Sequence, residues 1–205
     1  MIYADIVDAA LSYSDRQDDE VVSRIPLFIK LVESRVNKKL DTQLMNTRVV
    51  LPSVADSHLY DLPENWLHLR DINVLNNVTG MRTTLSMISP EQMNNAITNV
   101  SDQLYYTIMN NQIYINPTLT IDQSLELNYA NRLQGIDAVT TTENWLAKYH
   151  PDCYIYGILV EINSFVKDAD AANVWDLRFK ESIEDLTFQD DVATYSGVAL
   201  QTRAG

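Results

Sequence analysis

Apolar residues recur at helical spacing at both ends of this chain and at strand spacing in the middle, so any fold must close a helical part across a β-rich segment. Near the N-terminus Ile2, Ile6, Ala10 and Tyr13 mark a helix over about residues 2–14. A second stripe, Phe28, Leu31, Val32, Val36 and Leu40, is set against Lys30, Glu33, Asn37 and Lys38 on the other side. Proline suits the first turn of a helix and disfavours helix in the residue before it, so this helix is expected to start at Pro26, with Arg16 to Glu20 as loop. Lys38 and Lys39 then fall in its last turn, where cations complement the helix dipole.

From residue 42 the pattern shifts to short β-branched and aromatic runs with Asn and Pro between them. Strands are expected at residues 48–51, 58–62, 67–75, 104–109, 112–115 and 124–130. Asn110 and Asn111 tolerate the left-handed backbone of a tight hairpin. Ser89, Pro90 and Gln92 spell a capping box for one short helix among the strands. After a polar linker over residues 137–143, the helical period returns in Ile155, Ile158, Leu159, Ile162 and Val166, starting near Pro151. Gly157 in mid-helix costs about 1 kcal/mol relative to alanine and implies that another element packs closely there. A last helix carries Trp175, Phe179, Ile183 and Leu186, with Asp170 as its expected N-cap.

These elements predict an α+β fold. An antiparallel helical bundle, two N-terminal and two C-terminal helices over residues 1–41 and 137–191, would hold an inserted β-rich domain over residues 42–136. Residues 192–205, nearly uncharged and without helical period, would form an extended C-terminal arm.

Charge narrows the function. The 205 residues hold 28 acidic and 15 basic side chains, a formal charge of −13, which disfavours nucleic-acid and anionic-membrane binding. Residues 137–191 concentrate the excess, with twelve acids against four bases. One cysteine, Cys153, permits no internal disulfide and no cysteine-based zinc cluster, and points to a reducing compartment. Asp5 and Asp8 stand where a secretory signal carries cations, and no apolar run is long enough to span a membrane.

No chemistry-bearing motif emerges. The five glycines are not spaced as a phosphate-binding loop, and His58, His68 and His150 belong to no ligand pair. His150 and Cys153 are three apart, with Asp152 adjacent, which is either a thiol nucleophile and its base or a loop histidine beside a small core residue. Asp168, Asp170 and Asn173 lack the glycine and glutamate of a calcium loop. Asp61, Glu64 and Asp71 form a possible carboxylate set for glycan hydrolysis, although 28 acids guarantee such groupings by chance. Tyr105, Tyr106, Tyr114, Tyr129, Tyr149, Tyr154 and Tyr156 suit interfaces or ordinary strand positions equally.

One resemblance does emerge. PLFIKLVESRVNKKL (residues 26–40), LYDLPENWLHL (59–69), YINP (114–117), LELNY (125–129) and ENWLAKYHPDCYIYGILVE (143–161), followed by an amphipathic helix, resemble the head-to-tail adaptor proteins of short-tailed bacteriophages. That resemblance implies a structural virion protein with no catalytic residues, cofactor or metal. It implies a homo-oligomeric ring of twelve copies, assembled in the host cytoplasm, with the portal protein above and tail nozzle or tail-fibre proteins below. Double-stranded DNA would pass through without specific binding, and no membrane would be involved. The C-terminal segment would dock on the portal through Tyr195, Val198 and Leu200. A negative channel wall keeps DNA from adhering, so Glu181, Glu184 and Asp185 are expected to face the lumen or its rim. A carboxylate-based cell-wall glycan hydrolase and a stand-alone β-type binding module are the alternatives.

Overall fold

A computed structural model describes residues 1–54, 56–98 and 103–195. The chain divides into two compact units: a helical unit built from Met1–Leu44 and the chain from Leu133 onward, and a β-rich unit, Met45–Arg132.

The helical unit contains α1 (Tyr3–Ser14), α2 (Asp19–Lys39), α4 (Trp145–Tyr149), α5 (Pro151–Phe165) and α6 (Ala169–Tyr195). Helix α5 occupies the centre, because Cys153, Tyr154, Gly157, Ile158, Leu159, Val160 and Ile162 are all buried and α1, α2, α4 and α6 each pack against it. Gly157 is the closest approach. A Cβ there would lie 2.7 Å from both methyls of Val32 on α2 and 3.2 Å from the Phe179 ring on α6.

Helix α2 departs from expectation in two ways. It begins at Asp19, so Pro26 lies inside it and part of the expected loop is helical. Burial of Val21 and Ile25, two turns and one turn before Phe28, outweighs the local cost of the proline. The buried line is Val21, Ile25, Phe28, Ile29, Val32 and Val36, so Leu31 is exposed and Glu33 turns inward.

Glu33 is the hub of a buried polar network. Its Oε1 accepts the Ile136 N–H at 2.8 Å and the Tyr154 hydroxyl at 3.1 Å. Asn144 Nδ2 donates to the Tyr154 oxygen at 2.8 Å and to the Gln134 carbonyl at 2.6 Å, and Asn144 Oδ1 caps α4 by accepting the Ala147 N–H. One turn along α2, Asn37 donates to the Glu33 carbonyl and accepts the Leu133 N–H. Burial pushes the Glu33 carboxyl up, against the lowering effect of these donors and of Lys30.

The β-rich unit contains β1 (Asn46–Pro52), β2 (Leu59–Asp61), β3 (Trp66–Asn76), β4 (Arg82–Thr84), β5 (Ser86–Met87), α3 (Pro90–Thr98), β6 (Tyr105–Met109), β7 (Gln112–Asn116) and β8 (Gln123–Asn131). Among the described residues two four-stranded sheets form, in the orders β1-β8-β3-β4 and β2-β7-β6-β5. All pairs are antiparallel except β5 with β6. Both sheets feed one core: Ile72, Val74, Leu125, Leu127 and Tyr129 from the first, Tyr60, Ile113 and Ile115 from the second. The six expected strands are present within a residue or two, and β4 and β5 are additional. Asn110 and Asn111 take φ of 51° and 63° in the β6–β7 hairpin. Ser89 and Gln92 exchange the two bonds of the capping box.

The expected four-helix architecture does not form. Among the described residues the chain is α+β with six helices and two four-stranded sheets, and its β part is a large unit rather than an insert in a four-helix bundle. The physical reason is convergence: the apolar stripes of α1, α2 and α6 meet on one central helix, and α3 belongs to the β-rich unit.

Gly157→Ala gains helix propensity but drives a methyl into Val32, so we expect a net loss of about 1–2 kcal/mol in chemical unfolding. Val32→Ala in the same chain should cost less than the sum of the two single changes. For Glu33, the folded chain holds its proton to higher pH than the unfolded chain, so the stability tied to this group declines as pH rises through the raised value. Glu33→Gln keeps the acceptor without the charge; its stability should improve relative to wild type between about pH 4 and pH 7. Parallel profiles would show that Glu33 does not titrate in this way. Glu33→Ala, which strands the Ile136 N–H and the Tyr154 hydroxyl, should cost about 3 kcal/mol near pH 4 and less as pH rises towards 7.

Candidate assembly surface

Helix α6 is capped by Asp168, whose Oδ1 accepts the Ala171 N–H at 3.0 Å, rather than by the expected Asp170. Lys167, with φ of 64°, makes the turn before it. Phe179, Ile183 and Leu186 face inward and are buried. The opposite face carries Val174, Leu177, Glu181, Glu184, Phe188 and Val192, spaced by three or four residues so that they form one line down the helix. All six are exposed, Leu177 by 60% and Phe188 by 68%.

The three acids expected to share a function do share this side of α6: Glu181, Glu184 and Asp185 are exposed, and among the described residues none of them has an ion-pair partner. Several charges between the helices are paired. Arg35 of α2 reaches Glu161 of α5 at 2.7 Å and Asp176 of α6 at 3.9 Å, and Lys180 meets Asp176 at 2.6 Å.

An aromatic corner adjoins this face. Trp175 makes a T-shaped contact with Tyr13, centroids 6.2 Å apart, stacks on Tyr156 at 5.8 Å and carries the Arg178 guanidinium 4.9 Å from its ring centre. A shallow depression beside it is lined by Asp152, Tyr156, Arg178, Glu181, Ser182 and Asp185. Trp, Tyr and Arg are the side chains that dominate binding hot spots. Sequence reading singled out Tyr156 but placed Trp175 on the inward stripe and did not join Tyr13 or Arg178 to them.

Helix α2 presents a second outward face. Leu27 and Leu31 are exposed there by 48% and 41%, together with Lys30 and Lys38.

The expected docking arm falls mostly outside what is described. Helix α6 continues through Val192 to Tyr195, where sequence reading placed an extended segment, and Val198 and Leu200 lie outside the described residues.

The candidate chemical groups are accounted for by structure. Cys153 is fully buried between α5 and its neighbours, and burial pushes its thiol up to about 12. His150 ends α4 and begins α5 through backbone bonds. Asp61 lies on β2 and accepts from Gln112 at 2.7 Å, whereas Asp71 lies on β3 of the other sheet and accepts from Asn128 and Asn73. The most buried carboxylate of the β-rich unit, Glu126, is held by Arg48 of β1 and Arg82 of β4, the latter at 3.0 Å. Among the described residues no group of three or more His, Cys, Asp or Glu is placed to hold a metal, and no helix is long and apolar enough to cross a membrane.

Comparison with known families finds one described as SU10 adaptor protein, whose model matches residues 1–203. No curated protein matches the chain.

A thiol reagent added at pH 8 tests the burial of Cys153 directly. The native protein should react at least a hundredfold more slowly than the denatured one. Comparable rates would revive the thiol-nucleophile reading.

Proposed function

The chain belongs to the SU10 adaptor protein family, a family of phage head-to-tail adaptors, and on that footing we propose that it forms a ring between the portal and the tail of the virion. It is a bacteriophage structural adaptor and hence a virion component. The observation that carries the proposal is the reach of the family match, over residues 1–203. Both units therefore fall within it, and the reading does not depend on one of them alone.

In this proposal twelve copies assemble in the host cytoplasm, the portal lies above, and the tail nozzle or fibre proteins lie below. The formal charge of −13 supports a conduit through which DNA passes without adhering. The three α6 acids are a different matter. Glu181, Glu184 and Asp185 share their face with Leu177 and Phe188, and a water-filled channel wall gives no reason for a phenylalanine exposed by 68%. We therefore assign them to a contact between protein surfaces. Docking on the portal is assigned to the C-terminal segment, with Tyr195 at the end of α6 as its root and Val198 and Leu200 beyond.

The test is the mass of the complex formed when the purified chain is mixed with the portal protein encoded in the same genome. Saturation at one adaptor per portal subunit is expected, and removal of residues 196–205 should weaken it at least tenfold. Absence of any complex across a range of salt concentrations would contradict the ring reading.

A further inference from the structure

We propose that the outer face of α6 on one copy docks against the outer face of α2 on a second copy of this chain. The proposal deepens the ring reading and rests on it for closure of the assembly. Two observations select the occupant.

First, both faces expose apolar side chains in a line. On α6 these are Val174, Leu177, Phe188 and Val192; on α2 they are Leu27 and Leu31, one turn apart. Isolated exposed apolar residues are ordinary, but a line of them directly opposite a helix's buried stripe marks a surface covered in the assembled state.

Second, the charges among them are opposite and form no ion pair among the described residues. Glu181 and Glu184 lie between Leu177 and Phe188, while Lys30 lies between Leu27 and Leu31, with Lys38 two turns further along. Among the described residues none of these four side chains has an ion-pair partner within the chain, whereas Arg35, Glu161, Asp176 and Lys180 nearby are all paired. The two faces differ in sequence and in sign, so each is unsuited to a copy of itself and suited to the other. That is a heterologous contact, which repeats from copy to copy and closes into a ring when the rotation per copy divides a full turn. The aromatic corner of Tyr13, Trp175, Tyr156 and Arg178 borders the α6 face and extends it.

Charge exchange tests this independently of exact register. Full-length E181K/E184K and full-length K30E/K38E are purified, checked for helix content by circular dichroism, and sized by sedimentation with and without the portal. Each variant alone brings like charges together at every contact, so each should lose assembly by at least tenfold in concentration. An equimolar mixture restores opposite charges at every contact if the two variants alternate, and should assemble like wild type.

If each variant alone assembles as wild type does, the α2–α6 contact is wrong while the ring reading stands. If the wild type forms multimers that obey the exchange rule but bind no portal, the contact stands and the portal reading falls. If both variants fail and the mixture fails as well, the faces do not meet each other and the proposal is overturned. If the wild type forms no multimer with or without the portal, both are overturned.

Discussion

A carboxylate buried on α2 determines how the two separated stretches of the helical unit join. Glu33 accepts the Ile136 N–H and the Tyr154 hydroxyl, and Asn37 one turn later accepts the Leu133 N–H. The chain returning from the β-rich unit is thereby hydrogen-bonded to α2 at Leu133 and Ile136, and Asn144 carries the same network into the cap of α4. Gly135 fits beneath the carboxylate, because a Cβ there would come within 3.0 Å of Glu33 Oε2. Hydrophobic packing is non-directional and would tolerate a shift of the returning strand by a residue. A buried acceptor with fixed donors does not, since a shift leaves it unsatisfied at a cost of several kcal/mol.

The consequence is a helical unit with one buried helix and several half-exposed ones. Because α1, α2, α4 and α6 all pack on α5, the outer sides of α2 and α6 are left uncovered over most of their length. Arg35 pairs with Glu161 and Asp176 between the helices, while Lys30 and Lys38 on α2 and Glu181 and Glu184 on α6 are outward and of opposite sign. For an adaptor, whose task is to hold neighbours, such leftover faces are the functional part of the molecule. Cys153, which looks more like chemistry in the sequence, is absorbed into packing, and the buried Glu126 is held by Arg48 and Arg82.

Much of this was legible in the sequence, and the exceptions have specific causes. Six strands, the Asn110–Asn111 hairpin, the Ser89 capping box and the close approach at Gly157 each depend on local geometry that a residue type states directly. The phase of α2 does not. Leu31 and Glu33 exchange roles when the stripe is rotated by about one residue, and only the network partners Ile136 and Tyr154, more than a hundred residues away, decide it. Pro26 misplaced the helix start because local proline rules ignore the burial of Val21 and Ile25. Strands as short as β4 and β5 carry no period to detect. The bundle expectation failed because periodicity reports that a helix has an apolar side, but not which helix it meets. At the candidate surface the acids of α6 were found, whereas Leu177 and Phe188 were missed. Their positions nearly opposite Phe179 and Ile183 held the signal.

The most direct measurement is an electron cryo-microscopy map of the adaptor assembled on its portal, resolved well enough to place individual helices. The account predicts a closed ring in which α5 is interior to every subunit and α6 of one copy lies along α2 of the next, with Phe188 and Leu31 both out of solvent. A ring, or any other assembly, in which both of those faces border solvent would contradict it.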